Sequence, residues 1–555
     1  MKRKNLVASL LALAMLLSMF SGCGSQSAAS ATASTAATAS TASGAASESP
    51  YKTNLKISIA NWGIKAGVDS GKEDKVRDYI YKKFNITIDP VDITWDDYKT
   101  KINTWAAAGS LPDVFVDDAI TETNFTKWAT QGVIQALPTD LSAYPIVKKY
   151  LDQKDVQDYK YPVGSKDAKY FCIPHPTYSN MDMWANDNAC LIRLDWMKKV
   201  GVTKIPTTME EFSSLMQKFV KEDPDGNGKN DTVGLTCYSA AWLSNFFTGY
   251  EPALSFPSVN NWTKASDGSW IPAFMTANAL TGVNALKKLY DDGSLDKDFA
   301  TLKGDDGKNK FTSGTAGAFV NTGYPVTLNN VYNTMIKANP KLDWANTVAL
   351  VPPFKAADGN YYRNIASTPW AETYFSTGCS AEKVDRVLAL INWGLSDEGF
   401  NLMHYGFEGE DYTKSGDTIT PIEKKDDTGK VVANIMTYPI LANGFSGLFS
   451  WNQDFSYKNP AIPAVVRKTG SDMLDWELKN CKPTPTNLTL NFITYDSRSK
   501  ATFILQDELI KAILSKDATA EWNQMIANYR KNGYDQVIKD VNAKATELGI
   551  TAYTE

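Results

Sequence analysis

The sequence predicts an α/β protein built as more than one lobe, and three observations carry that reading. Strand-like and helix-like stretches alternate from Leu55 onward, an order that gives a mostly parallel sheet with helices on both faces. The roughly 500 residues after the N-terminal segment exceed what one small core organises. Hydrophobic residues at 43% and charged residues at 21% match a soluble globular chain, and no later stretch reaches the roughly 20 apolar residues of a bilayer span.

The first element is a targeting signal. Lys2, Arg3 and Lys4 precede an apolar run over 6–20, then Ser21-Gly22 and Cys23. A charged start, a short apolar stretch and small residues mark a secretory signal. With Cys23 placed directly after it, the order resembles a bacterial lipoprotein signal, cut before the cysteine and lipidated on its thiol. Phe20 stands where that signal usually carries Leu. The other reading is an ordinary secretory signal with a cysteine nearby; either way the mature protein is exported. Residues 24–49 are almost entirely Ala, Ser and Thr. Such a segment buries nothing large and acts as a tether reaching on the order of 30 Å. Several acyl chains, each methylene contributing about 0.8 kcal/mol, anchor the chain without its crossing the membrane.

Past the tether, Leu55-Lys56-Ile57-Ser58-Ile59 reads as a strand and Asn61-Trp62-Gly63 as the loop after it. A helix follows over 72–84, a second strand starts at Ile86-Thr87-Ile88, and a second helix covers 98–108. Leu111-Pro112-Asp113 then leads into the strand Val114-Phe115-Val116 and the acidic pair Asp117-Asp118. In open α/β sheets ligands lie beyond the carboxyl ends of strands. That rule selects the Trp62 loop, Asp117 and Asp118.

Composition excludes several function classes. A net charge of −5 without a basic stripe speaks against nucleic acid. Cys172, Cys190, Cys237, Cys379 and Cys481 show no CxxC spacing, so buried thiols with at most one bridge are expected rather than a disulfide framework. Aromatics reach 12%, with 15 Trp. Most belong to the core, but a tryptophan in a loop is costly to expose and needs an account. Sugar rings offer one, because their apolar faces pack on aromatic rings while their hydroxyls bond to Asp, Asn, Glu and Arg.

Five segments in order then resemble bacterial extracellular solute-binding proteins of the sugar-binding, maltose-binding-like class. They are Trp105-Ala-Ala-Ala-Gly-Ser-Leu-Pro-Asp-Val-Phe; Arg193-Leu-Asp-Trp-Met-Lys-Lys-Val-Gly-Val with Pro206-Thr-Thr-Met-Glu-Glu-Phe; 311–324 with Gly317-Ala-Phe-Val-Asn; Ile391-Asn-Trp-Gly-Leu-Ser-Asp-Glu-Gly; and Tyr405-Gly-Phe-Glu-Gly-Glu-Asp-Tyr. The last resembles long lipoprotein members from Gram-positive bacteria. The resemblance implies a type II periplasmic-binding-protein fold, two α/β lobes joined by crossing hinge segments and closing on a sugar. It places the signal at 1–22, the lipidated cysteine and tether at 23–50, and the first part of lobe 1 at 51–174. Lobe 2 then takes 175–318, lobe 1 returns over 319–374, and 375–555 holds lobe 2 and the C-terminal helices. Crossings are expected near Ile173-Pro174, near Phe319 and near Tyr374-Phe375. The implied activity is capture of a carbohydrate, an oligosaccharide by the length of the chain, and delivery to ABC permease subunits. The chain holds no GxxxxGK[ST] phosphate loop, so any ATP-driven step belongs to other subunits. A monomer on the outer face of the cytoplasmic membrane is expected.

Ligand contacts are expected first at Trp62 and Asp118. Trp184, Trp242, Trp370 and Trp451 are stacking candidates, and Tyr324 lies in a matching segment. Asp117, Glu372 and Arg193 are candidates for hydroxyls or a uronate, with a solvated or salt-bridged reading standing beside that. Trp393, inside the helical pattern 384–395, reads as core. A separate signal is Asp223-Pro-Asp225-Gly-Asn227-Gly228-Lys229-Asn-Asp231. Oxygen side chains at alternate positions, a glycine at the sixth place and the Lys229 carbonyl form the first nine places of an EF-hand-type Ca2+ loop. Gly234 replaces the usual bidentate Glu, so a further oxygen must come from elsewhere or affinity is modest. Similar loops in the resembled family bind calcium structurally, away from the sugar; the other reading is a polar turn that binds nothing.

Two alternatives stand beside transport. A secreted carbohydrate-active enzyme needs two carboxylates roughly 5 to 9 Å apart, for which Asp117, Asp118 and Glu372 are available. The GxSxG and HExxH patterns are missing, and the only histidines, His175 and His404, serve general-base chemistry poorly. A surface glycan receptor shares the anchor but has no need of closing lobes.

Overall fold

The computed structural model describes residues 49–553 apart from 257–259, 304, 417, 426–430, 433, 494–496 and 499–502. Cys23, the signal and most of the tether lie outside the described residues. The strands of the two main sheets are β1 (Leu55–Ala60), β2 (Ile86–Val91), β3 (Val114–Asp117), β4 (Cys172–Pro176), β5 (Ala189–Arg193), β6 (Val233–Cys237), β7 (Ala316–Asn321), β8 (Val348–Val351) and β9 (Pro369–Phe375). Helices used below are α1 (Lys75–Phe84), α2 (Tyr98–Ala108), α3 (Met209–Lys221) and α4 (Ala381–Gly394).

The first sheet runs β2-β1-β3-β9-β4. β1 is parallel to β2 and β3, with Leu55 opposite Ile86 and Ile59 opposite Val114, while β9 is antiparallel to β3 and β4. Ile57, Ile59, Phe115 and Tyr374 are buried between helices such as α4, whose Val387, Leu388 and Ile391 pack there. α1 starts at Asp74, whose Oδ1 accepts the Val76 and Arg77 N–H groups at 3.0 Å, satisfying donors that a helix start leaves free. The crossover helices 75–84 and 98–108 follow their strands as the periodicity predicts.

The second sheet runs β8-β5-β7-β6. Its strands are covered on both faces and read as near-continuous apolar runs. Ala318 and Val320 of β7 point into one core with Trp196, Phe212 and Phe219, and Phe319 points into another with Leu328, Val331 and Trp344.

This topology corrects the expected lobe boundaries. Phe319, placed by resemblance at a return to the first lobe, sits inside the second sheet, paired with Leu191 on one side and Thr236 on the other. A buried apolar strand carries no sign of which sheet it joins, so 311–324 alone could not settle this. The chain leaves the first sheet after Pro176, returns between Val351 and Pro369, and stays in the first core through Phe449 before rejoining the second sheet's core at Ile462. Tyr374-Phe375 is thus interior to β9 and not a crossing. The three connecting stretches, 177–188, 352–368 and 450–461, lie side by side. The Thr177 and Tyr178 N–H groups donate to the Thr368 carbonyl at 3.2 Å, and the Gln453 N–H to the Thr177 carbonyl at 2.8 Å.

Cys172, Cys190, Cys237, Cys379 and Cys481 are free and buried. Among the described residues no helix is long and apolar enough to cross a membrane. Trp393 is buried in the first core, as its helical spacing predicts.

Candidate ligand-binding site

β1 ends at Ala60, and the next residues turn sharply. Asn61 is buried and its Nδ2 donates to the Gly444 carbonyl at 3.0 Å, while Gly63 takes a φ of +76°, which a side chain disfavours. This fixes Trp62. β2 ends at Val91, and the loop after it is held by the buried Ile93 and by the Thr94 N–H, which donates to Asp97 at 2.8 Å. That loop carries Trp95, whose ring stacks on Trp62 with centroids 4.4 Å apart and planes 8° from parallel. Trp370 comes from β9, where the pairing with β4 shifts register between Pro369 and Glu372 and Ala371 adopts a φ of +62°. Bulges of this kind re-aim a side chain, and strained backbone gathers at functional sites. Trp370 lies 5.8 Å from Trp62, and Trp451 5.9 Å from Trp62 and 5.3 Å from Trp370. Four tryptophans from four separate segments meet at one end of the first sheet.

An acidic group adjoins them. Tyr98, at the first turn of α2, sets its ring edge-on to Trp62 at 5.0 Å and donates its hydroxyl to Asp118 at 3.0 Å. Lys99 pairs with Asp118 at 2.7 Å and also with Glu122. Burial opposes the ammonium, but the two carboxylates hold its pKa well above the ordinary value. Asp117, at the end of β3, stands opposite Glu372 of β9, and the Tyr374 hydroxyl donates to Glu372 at 2.8 Å. Both carboxyls are buried. Burial, and then the charge of Asp118, pushes Asp117 up to about 8 and Glu372 well above the carboxylate range.

Lys99, Glu122 and Asn124 form one wall of a cavity of about 630 Å³ whose other wall includes Phe256, Arg498 and Tyr534. The first wall belongs to the β3 side. The second adjoins the other core, where Trp242 stacks on Phe256 at 3.8 Å. The Arg498 Nη1 donates to the carbonyls of Asn491 and Ile493 at 3.1 and 2.8 Å. Burial raises the Tyr238 hydroxyl, with Asp305 and Asp96 adding to it. A cleft of this size between two cores, walled by aromatic rings and convergent polar groups, is the form of a small-ligand site.

The family model described as "Bacterial extracellular solute-binding protein" matches residues 66–399. The chain belongs to this family.

Among relatives of this solute-binding protein is "Lipoprotein LipO" of Bacillus subtilis (strain 168), 26% identical over 340 residues, 60% of this chain and 64% of that protein. The "Polygalacturonan/rhamnogalacturonan-binding protein YtcQ" of the same strain is 26% identical over 345 residues, 60% of this chain and 63% of that one. The chain thus spans somewhat under two thirds of the curated relatives it matches. Solved structures share the two-lobed fold. The Streptococcus pneumoniae ABC-transporter substrate-binding protein FusA in complex with kestose aligns with a TM-score of 0.66 at 15% identity, over 89% of this chain and 99% of that one. The alginate-binding protein AlgQ2 without calcium ion aligns with a TM-score of 0.65 at 14% identity, over 90% and 98%.

Of the residues singled out from the sequence, the fold brings together Trp62, Trp370 and Trp451 with Asp117, Asp118 and Glu372, and sets Trp242 beside the facing wall. Trp184 lies elsewhere: it is buried, edge-on to Tyr178 at 4.9 Å, and its indole donates to the Ser367 carbonyl at 2.9 Å. Tyr324 caps the helix Pro325–Ala338, its hydroxyl pushed up to about 12 by burial and the nearby Asp187. Arg193 is held by Asp195 at 2.7 and 2.5 Å, the salt-bridged reading. Trp95 and Tyr98 were not singled out. The rule that selected Trp62, a loop beyond a parallel strand's carboxyl end, applies equally to 92–98.

The loop after α3 folds as a tight oxygen-lined turn. Asp223 accepts N–H groups from Gly226 and Asn227 at 3.1 Å and from Gly228 at 2.9 Å. Asp225 and Asp231 both accept from the Asn227 amide, at 2.7 and 3.0 Å. A shared hydrogen bond lowers Asp223, while burial and the same bond raise Asp225, as carboxyls held close do. The donors suit a hard cation in kind, but Gly234 lies within β6 and offers no side-chain oxygen. Among the described residues, no three His, Cys, Asp or Glu side chains are grouped to hold a metal ion.

Proposed function

We propose that this solute-binding protein captures an oligosaccharide between its two lobes and delivers it, unaltered, to an ABC permease. The observation that carries this reading is the four-tryptophan cluster continuous, through Tyr98, with the Asp118–Lys99–Glu122 line at the cavity wall. Rings with apolar faces pack on the first part, and hydroxyls bond to the second. The names of YtcQ and of the FusA complex with kestose support a carbohydrate, and the name of LipO supports lipidation at Cys23 and attachment to the outer face of the membrane. The protein acts as a monomer, in contact with permease subunits through its lobes. Ca2+ in the 223–231 loop, with the Lys229 carbonyl as one ligand, serves structure. A solved FusA complex is described as an EF-hand mutant, which supports this.

The enzyme reading is disfavoured by one observation. Asp117 and Glu372, which stand opposite each other on neighbouring strands, are each 2% exposed, and a reacting bond needs access to both carboxyls.

The test is thermal unfolding of the purified protein against a panel of oligosaccharides, with calcium throughout. A ligand at a hundred times its Kd adds about 2.7 kcal/mol. One class of sugar raising the Tm, and recovered intact, is the expected result. A sugar returned cleaved, or no shift with any sugar, overturns the proposal.

A further inference from the structure

Two of the residues lining the cavity carry a positive charge, Lys99 on one wall and Arg498 on the other, and their surroundings differ. The Lys99 ammonium is answered within its own wall by Asp118 and Glu122. Arg498 meets no carboxylate among the described residues. Its Nη1 donates to the main-chain carbonyls of Leu490, Asn491 and Ile493, at 3.5, 3.1 and 2.8 Å. Tyr534, whose charge would act on the guanidinium, is held neutral by burial.

Carbonyls accept hydrogen bonds but leave a full charge unmatched. Arg498 is half-buried, and burial draws its pKa below the ordinary arginine value. A desolvated charge without a partner is costly. Supporting the turn at 490–493 accounts for Nη1 and for nothing else on this side chain. Among the described residues Nε and Nη2 have no partner, and neither is fully buried. These two nitrogens share one edge of the guanidinium, and elsewhere in this chain the same edge holds a carboxylate. Arg193 donates through Nε and Nη2 to the two oxygens of Asp195 at 2.7 and 2.5 Å. Arg77 donates through the same pair to Asp78 at 3.0 Å.

We propose that the captured oligosaccharide is an acidic one, with a uronate carboxylate bound by the Nε–Nη2 edge of Arg498. The inference rests on the oligosaccharide reading above and narrows it. A planar carboxylate offers two oxygens to the two N–H groups and supplies the missing charge; a sugar hydroxyl does neither. On the facing wall Lys99 offsets part of the charge of Asp118 and Glu122, and Thr121, Thr123 and Asn124 are available for hydroxyls. The anion is therefore directed to the wall that carries Arg498.

The experiment is titration calorimetry with short oligomers of galacturonate, glucuronate, mannuronate and guluronate. Each is compared with the same chain after its carboxylates have been reduced to alcohols, and neutral oligosaccharides are run alongside. One uronate should bind the native protein roughly 10- to 100-fold more tightly than its reduced form, the range of a charge-assisted pair. Arg498→Gln should remove most of that preference, and Arg498→Lys, which keeps the charge but not the fork, should keep part of it. Equal or tighter binding of the reduced chains, or binding of neutral oligosaccharides alone, overturns the proposal and leaves the oligosaccharide reading standing. A preference that survives in Arg498→Gln overturns it too. The acid-against-reduced comparison is made on the native protein, so it decides the matter even where a variant fails to fold. If no sugar of either kind binds, the oligosaccharide reading falls and this inference with it.

Discussion

Asp117 and Glu372 face each other across β3 and β9 with Asp118 close by, and their neighbours determine how they ionise. Because burial holds Asp117 near 8, against about 3.9 for a free Asp, the folded chain keeps a proton that the unfolded chain releases. Stability from this group is therefore complete below about pH 4 and is lost as pH rises towards 8. Asp117→Asn cannot ionise. Its Tm should exceed that of the native protein at pH 8.5 by the equivalent of at least ~1.4 kcal/mol, the value of one pKa unit. The difference should narrow towards pH 5, and melting curves across this range check it; a gap that does not depend on pH rules the argument out. The tryptophans divide in a similar way. Trp62 is buried where Trp95 is half exposed, so Trp62→Ala should cost ~3–5 kcal/mol of stability, and Trp95→Ala far less. Chemical denaturation of the two variants decides this, and equal losses would mean that Trp95 belongs to the core.

At the level of elements, the 223–231 turn couples the end of α3 to β6, a strand of the second sheet. A cation bound there stabilises by mass action, about 2.7 kcal/mol at a hundred times its Kd. Calcium should raise the Tm of the native protein and a chelator should reverse it, while Asp225→Ala should melt identically with and without calcium. A Tm indifferent to calcium in the native protein would leave 223–231 as a turn only. These elements also show what a sequence can reveal. The strands 55–60 and 86–91 and the helix 98–108 were legible because alternation and helical spacing record which face is buried. Trp62, Asp117 and Asp118 were legible because they follow strand ends. The membership of β7 was not legible: Gly317, Ala318, Phe319 and Val320 are all buried, and such a run suits either sheet. Nor was the meeting of Trp370 and Trp451 with Trp62, which depends on a bulge at Ala371 and on a backbone bond from the Trp451 N–H to the Pro176 carbonyl at 2.9 Å.

For the folded molecule, the proposed capture rests on the three stretches that join the lobes. They lie against one another near Thr177, and the Trp370 N–H donates to the Thr177 hydroxyl at 3.0 Å. The tryptophan cluster is therefore part of the first lobe through Trp62, Trp95 and Trp370, and is tied to the connecting stretches through Trp451 and the Trp370–Thr177 bond. The cavity is lined from both walls, so a ligand that spans it would favour whichever arrangement brings those walls together. Only this difference in affinity shifts the population. A compact chain of about 510 residues has a radius of gyration of about 23–24 Å, and two parted lobes exceed that. Small-angle scattering of the purified protein should show the radius falling towards that value as the sugar that raises the Tm is added. The fall should be half complete at the concentration that half saturates binding by calorimetry. A rise in Tm with an unchanged radius would place the whole site on one lobe and remove the reason for closure. A radius that falls without the sugar being bound between the walls would fail a direct control, Lys99→Met, which disturbs the wall that carries Asp118 and Glu122. In that variant the sugar concentration needed for closure should rise with the Kd, because one equilibrium governs both.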